Sequence, residues 1–239
     1  MSNAFISRRH AILGSSALGA ARGANPPLPT CYCRRVRGGA EAMPPSHQAW
    51  KSATPVRYDR DWNGGARHPE QATTVLPLWN ERFLYLLFDC RYQSLHMAEP
   101  PNLATDQPIY ERDCAEFFAA PDAGQLRNYR EFEFAPNGEW FDARIHNPGG
   151  RIQVDVEWNT GMKVLAAIEK EKKRWWASVA IPIDQIAVPK AGDRWRVNFY
   201  RIEGPPEHEP RTYMAWSPTM TPQPNFHVPE RFGWMEFAR

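Results

Sequence analysis

The residues Phe83-Leu84-Tyr85-Leu86-Leu87-Phe88-Asp89-Cys90 restrict this chain more than any other stretch. The run is too short to cross a bilayer and rich in aromatics, so it reads as a strand buried on both faces. A loop follows, then Tyr110-Glu111-Arg112-Asp113-Cys114-Ala115-Glu116-Phe117-Phe118, which brings a ring and carboxylates to the mouth of a second apolar strand. A flat ring covers an apolar C–H face and a carboxylate accepts hydroxyl hydrogen bonds, the pairing that a polyhydroxylated ligand needs.

The rest of the chain reads as short strands between turns. Residues Thr73–Trp79 and the apolar run form a hairpin around Asn80-Glu81-Arg82. In Asn128–Phe134, Arg130, Phe132 and Phe134 point one way while Tyr129, Glu131 and Glu133 point the other. Pro136-Asn137-Gly138 then turns the chain into residues 140–145. Further strands fall at 31–36, 152–158, 162–168, 175–181, 195–200, 212–216 and 232–237. The 23 prolines oppose a helical protein. About ten short strands without alternating helices predict an all-β, antiparallel, jelly-roll-like β-sandwich. One or two short helices are expected, at 46–51 with Ser46 as cap and at 183–186. No internal repeat or second domain boundary follows residue 30, so residues 31–239 read as one domain.

The N-terminus has a different character. Arg8 and Arg9 precede a short apolar stretch and small residues, the pattern of a twin-arginine export signal over residues 1–24. Residues 25–30 are a Pro-rich leader, and the expected location is periplasmic or extracellular. With residues 1–21 set aside, basic and acidic residues balance at 27 each. A neutral body lacks the electrostatic footprint for nucleic acid or an anionic membrane, and no later segment is suited to membrane insertion. Cys31, Cys33, Cys90 and Cys114 form an even set whose pairing stays open. The sulfurs of Cys31 and Cys33 are expected on opposite strand faces, which opposes joint metal ligation.

Several ordered pieces carry a resemblance. They are Leu78-Trp79-Asn80-Glu81-Arg82-Phe83-Leu84-Tyr85, Asp113-Cys114-Ala115-Glu116-Phe117-Phe118, Ala135-Pro136-Asn137-Gly138, residues 175–182, Asn198, Ala215-Trp216-Ser217-Pro218-Thr219 and Pro229-Glu230-Arg231-Phe232-Gly233. Together they make the chain resemble the family 9 carbohydrate-binding modules and their stand-alone relatives. The resemblance implies a sandwich that binds carbohydrate without catalysis, in support of carbohydrate catabolism. In such modules a sugar lies between two aromatic rings beside an acid. By position, Tyr110 matches the first ring, Phe226 the second and Glu116 the acid, with Gln223 a polar neighbour. Tyr and Phe replace the usual Trp pair, Glu133 stands where a basic residue is expected, and His227 adds a polar group. The resemblance also implies calcium, for which no ligand set maps onto this sequence.

Other readings compete. Glu116 with Glu131, Glu133 or Asp142 would supply the paired carboxylates of a glycosidase. No nucleophile elbow, His-x-x-x-His motif or phosphate loop accompanies them. His96-Met97 is the one attractive haem-ligand pair. Arg112 and Arg201 are candidate partners that would turn Glu116 into a structural ion pair. A structural or protein-binding sandwich would equally suit the aromatic surplus.

Overall fold

The computed structural model describes residues 25–38, 42–103, 109–204 and 211–239. The export-signal reading over residues 1–24 lies outside them. Thirteen strands are described: β1 (Thr30–Arg35), β2 (Val56–Tyr58), β3 (Thr73–Trp79), β4 (Phe83–Arg91), β5 (Cys114–Ala120), β6 (Asn128–Phe134), β7 (Trp140–His146), β8 (Gln153–Asp155), β9 (Lys163–Glu169), β10 (Arg174–Pro182), β11 (Arg194–Glu203), β12 (Thr212–Ala215) and β13 (Gly233–Ala238). They join in the order β8-β7-β6-β5-β11-β13-β1-β3-β4-β10-β9, with β12 added to β11 and β2 to β3.

The sheet curls back on itself into two facing layers. Phe88 of β4 lies 5.5 Å from Phe134 of β6 and 6.1 Å from Phe199 of β11, ring to ring, although these strands are far apart in the order. Phe117 stacks on Phe199 at 5.3 Å within the same core. The expected all-β sandwich is therefore present, with one correction. Strand β1 pairs parallel with both β13 and β3, so the sheet is mixed and not purely antiparallel. These partners meet β1 through no tight turn, and only a hairpin turn writes strand direction into local sequence.

The expected helix at 46–51 is a 3-10 turn, Gln48–Ser52, capped by His47 and not by Ser46: Nδ1 of His47 accepts from the Ala49 N–H at 3.2 Å. All helical pieces among the described residues are 3-10 turns of this short kind. Cys31 and Cys33 correct a second expectation. Residues two apart on a strand share a face, and both thiols point into the core while Tyr32 faces out. All four cysteines are buried and free, and burial raises each thiol above its ordinary pKa.

Strands β4 and β5 are covered on both sides. Met43, Trp50, Tyr85 and Leu87 form a satellite core on the outer face of β4 and β10. Ile109, Phe226 and Phe232 pack against Phe118, Tyr129 and Tyr200 on the outer face of β5, β6 and β11. At one end of the central core Arg201 is fully buried, 5.0 Å over the Trp175 ring and 3.2 Å from Glu203. Burial opposes its charge, but Cys90, Asp113 and Glu203 around it hold its pKa above the usual value. Asp113 accepts the backbone N–H groups of Gly204 and His96, while Glu203 accepts those of Gln93 and Ser94. This buried charge cluster thereby ties down the start of the long loop after β4.

The leader is docked on the sheet. The Pro26 carbonyl accepts from Arg231 and the Pro29 carbonyl from the Trp234 N–H at 2.8 Å. A Cβ at Gly233 would stand 2.8 Å from the Pro29 oxygen and 2.5 Å from the Trp216 ring. Gly233→Ala is therefore expected to destabilise by about 1–3 kcal/mol, lowering Tm by about 2–12 °C in a thermal melt, with the far-ultraviolet spectrum unchanged.

Candidate functional site

Alternation along β5 decides what faces outward. Ala115, Phe117 and Ala119 enter the central core, so Glu116 and Phe118 must turn to the other face. In the antiparallel pairing with β6, Glu116 lies opposite Glu133 and Phe118 opposite Glu131. Tyr200 of β11 lies opposite Glu116 on the other side. Three carboxyl groups thus share one patch of sheet, and they form part of a cavity of about 720 Å³. Tyr110, Phe226 and His227 line the same cavity, with Tyr213, Asn225 and Arg151 beside them.

Of the six residues singled out in the sequence, five therefore meet in one place: Tyr110, Glu116, Glu133, Phe226 and His227. Gln223 does not. It is exposed, its carbonyl accepts from the Thr221 hydroxyl at 2.7 Å, and its neighbours Pro224 and Asn225 line the cavity instead. Nothing in a proline-interrupted loop fixes which of its residues turns inward.

The rings are held differently. Tyr110 is 36% exposed, at the end of the long loop, where its carbonyl accepts from Arg211. Phe226 is 7% exposed. One of its faces lies on Tyr200, with centroids 4.1 Å apart and planes 9° from parallel, and the Tyr200 hydroxyl donates to the Phe226 carbonyl at 2.8 Å. Tyr200 thus fixes both the ring and its backbone. His227 faces the Tyr129 hydroxyl through Nδ1 at 2.8 Å. Burial lowers the His227 pKa to about 4, so it is neutral at pH 7. A tyrosine proton directed at Nδ1 leaves the imidazole hydrogen on Nε2 as a donor.

None of the three glutamates has an ion-pair partner among the described residues. Arg201 is held by Glu203, and Arg112 lies 3.8 Å from Glu139. The ion-pair reading of Glu116 is thereby replaced: its recorded hydrogen bond comes from the Cys114 thiol at 3.5 Å. Glu133 accepts the Ile109 N–H through Oε2 at 2.7 Å, anchoring the segment that presents Tyr110. Its buried Oε1 meets no backbone or side-chain N–H. Burial, then the nearby charge of Glu133, pushes Glu116 well above the usual carboxylate range, and burial raises Glu131 in the same way. Glu133 is pushed up to about 7, because burial outweighs the Ile109 N–H and the hydrogen bond from Glu131. Glu131 and Glu133 are hydrogen-bonded to each other and therefore titrate as a pair.

This arrangement limits the chemistry. Glu116, Glu131 and Glu133 all rise from one sheet face, so a sugar resting over them meets every carboxyl on the same side. The two carboxyls of a glycosidase flank the bond they cleave. Asp142 lies opposite Phe132 on the core side of the sheet and accepts from the Thr160 N–H and hydroxyl, so it belongs to no such pair. His96 and Met97 line neither this cavity nor a 510 Å³ groove on the other layer. That groove went unnoticed in the sequence because Arg57, Arg67, Arg91, Lys172 and Arg174 converge on it from distant segments. Among the described residues, no group of three His, Cys, Asp or Glu side chains is arranged to hold a metal ion. No helix among them is long and apolar enough to cross a membrane.

Comparison with known proteins bears on the family and the fold. The family model described as Carbohydrate-binding family 9 matches residues 96–237, more than half of the chain. A candidate carbohydrate-binding protein from Bacteroides uniformis superposes with a TM-score of 0.68 at 18% identity, covering 87% of this chain and 99% of its own. Two structures of a family 9 carbohydrate-binding module from Caldicellulosiruptor kristjanssonii superpose with TM-scores of 0.61. The one in complex with cellotriose is 12% identical, with 88% of this chain and 94% of that chain covered. The one in complex with glucose is 14% identical, with 88% and 97% covered. At these identities the likeness is one of fold. No curated protein matches the chain.

The buried acids make stability depend on pH. A carboxyl whose folded pKa exceeds its ordinary 4.5 binds protons more tightly when folded. Its contribution is complete below pH 4.5 and lost as pH rises through the folded value, about 7 for Glu133. Tm should therefore fall as pH rises from 4.5 to 7 and beyond. Glu131→Gln, which removes one of the crowded charges, should raise Tm at pH 8 by a few degrees and flatten the profile in scanning calorimetry.

Proposed function

This chain belongs to carbohydrate-binding family 9, and from that premise we propose that it is an exported protein that grips sugars or glycan ends and releases them unaltered. The observation that carries this reading is one cavity holding the Tyr110 and Phe226 rings together with Glu116 and Glu133. Tyr110, half open at the rim, would cover one apolar face of a sugar ring, and Phe226, braced by Tyr200, would bound the other side. Glu116 and Glu133 would accept hydroxyl hydrogens, while Nε2 of His227 would donate in return. Asn225, which lines the cavity where Gln223 does not, would add a polar contact.

The structural neighbours bound to cellotriose and glucose support β-linked glucose units as first ligands to try. Stacking with a few hydrogen bonds supports affinities on the order of micromolar to millimolar. The arginine pair Arg8-Arg9 supports a workplace outside the cytoplasm, where holding sugars would assist their catabolism.

Calorimetric titration tests the reading. Wild-type protein should bind cellotriose or glucose and release no new reducing ends on prolonged incubation. Tyr110→Ala should weaken binding about threefold to tenfold and Glu116→Gln about tenfold or more, each with Tm nearly unchanged. Full affinity in both variants would show that ligand sits elsewhere, and sugar cleavage that depends on Glu116 would replace a binding role with a hydrolytic one.

A further inference from the structure

The cavity is more acidic than a receptor for neutral sugars requires. Glu116, Glu133 and Glu131 are 2%, 0% and 6% exposed, adjacent on β5 and β6, and none is paired with a cation among the described residues. Among the described residues Arg151 is the one cationic side chain in the lining and is itself exposed. Arg211 is engaged by the carbonyls of Tyr110 and Arg112. A neutral hydroxyl can donate to one of these carboxyls, but it leaves them in the protonated form that burial without a cation favours, whereas a bound cation would let them ionise and would donate to them at the same time. Glu133 shows the deficit most plainly, because its buried Oε1 has no N–H donor.

A metal ion would compensate the charge, but no group of three such side chains among the described residues is arranged to hold one. The three carboxyls are instead spaced along two neighbouring strands, like donors to a group on a larger molecule. A primary ammonium fits that demand. It carries the missing positive charge and three N–H donors, and charge-assisted hydrogen bonds are about twice as strong as neutral ones. The aromatic surface of Tyr110 and Phe226 in the same cavity calls for a flat-faced ring alongside it.

We propose that the sugar selected by this cavity is an amino sugar, its protonated amine seated among Glu116, Glu131 and Glu133 while its ring lies against Tyr110 and Phe226. The inference rests on the sugar-binding reading and specifies the ligand class for the same site. An unsubstituted amine is required, because acetylation removes the charge and replaces two donors with a carbonyl acceptor that would face carboxylate oxygens.

The test is calorimetric titration of the full chain at pH 6 with three trisaccharides of the same β-1,4 backbone: cellotriose, its fully N-acetylated 2-amino counterpart and its fully deacetylated counterpart. The free-amine trisaccharide should bind about tenfold or more tightly than the other two. In Glu131→Gln and Glu133→Gln that advantage should shrink to about threefold or less as the charge-assisted contacts are lost. Equal affinities, or a preference for either neutral sugar, overturn the amino-sugar assignment and leave sugar binding standing. An amine preference that persists unchanged in both variants overturns the seat assigned to it. Failure of all three trisaccharides to bind overturns the sugar reading itself, and this inference with it.

Discussion

Strand β5 exposes neither face to water, and the rest of the architecture follows from that. One side of it, through Phe117, is part of the ring cluster that joins the two layers, so the other side must carry whatever the strand does not commit to the core. In an apolar strand, Glu116 is the residue that cannot be left in hydrocarbon. The pairing with β6 then sets Glu133 beside it and Glu131 one place along, while the pairing with β11 supplies Tyr200. A patch of acid flanked by aromatic surface arises from register alone.

That patch becomes a cavity because the segments around it are fastened. The chain between β12 and β13 is held by the Asn198 side chain donating to the Ser217 carbonyl and by the Ser217 hydroxyl donating to the Arg231 carbonyl. Tyr200 and Tyr129 then fix Phe226 and His227 from below. On the opposite rim, Glu133 and Glu139 accept backbone N–H groups at Ile109 and Asn102 of the long loop. Walls positioned before a ligand arrives lose little freedom on binding, which partly offsets the weakness of ring stacking and a few hydrogen bonds.

Much of this was readable from residue order. Period-two alternation places Glu131 and Glu133 together, and the apolar run at 83–90 is buried on both faces, as its composition implies. Turn residues marked the β3–β4 and β6–β7 hairpins for the same reason: their information is local. What stayed hidden was non-local. The parallel contact of β1 with β13 joins residues some 200 positions apart with no turn to announce it. The inward turn of Asn225 in place of Gln223, and the convergence of five basic side chains on one groove, depend on how loops from separate strands settle. The shared face of Cys31 and Cys33 was within reach of simple alternation.

The position of β13 has a consequence for how the protein is made. It is the last in sequence of the described strands and lies between β11 and β1, joining the two halves of the sheet. A chain still leaving the ribosome therefore has an open seam until residues near 238 emerge. Until then Cys31 and Cys33 lack the neighbouring strand whose Met235 and Phe237 stand beside them on the core face. Closing the seam thus completes the burial of these two thiols, and the order in which the strands leave the ribosome makes that the last step in shielding them.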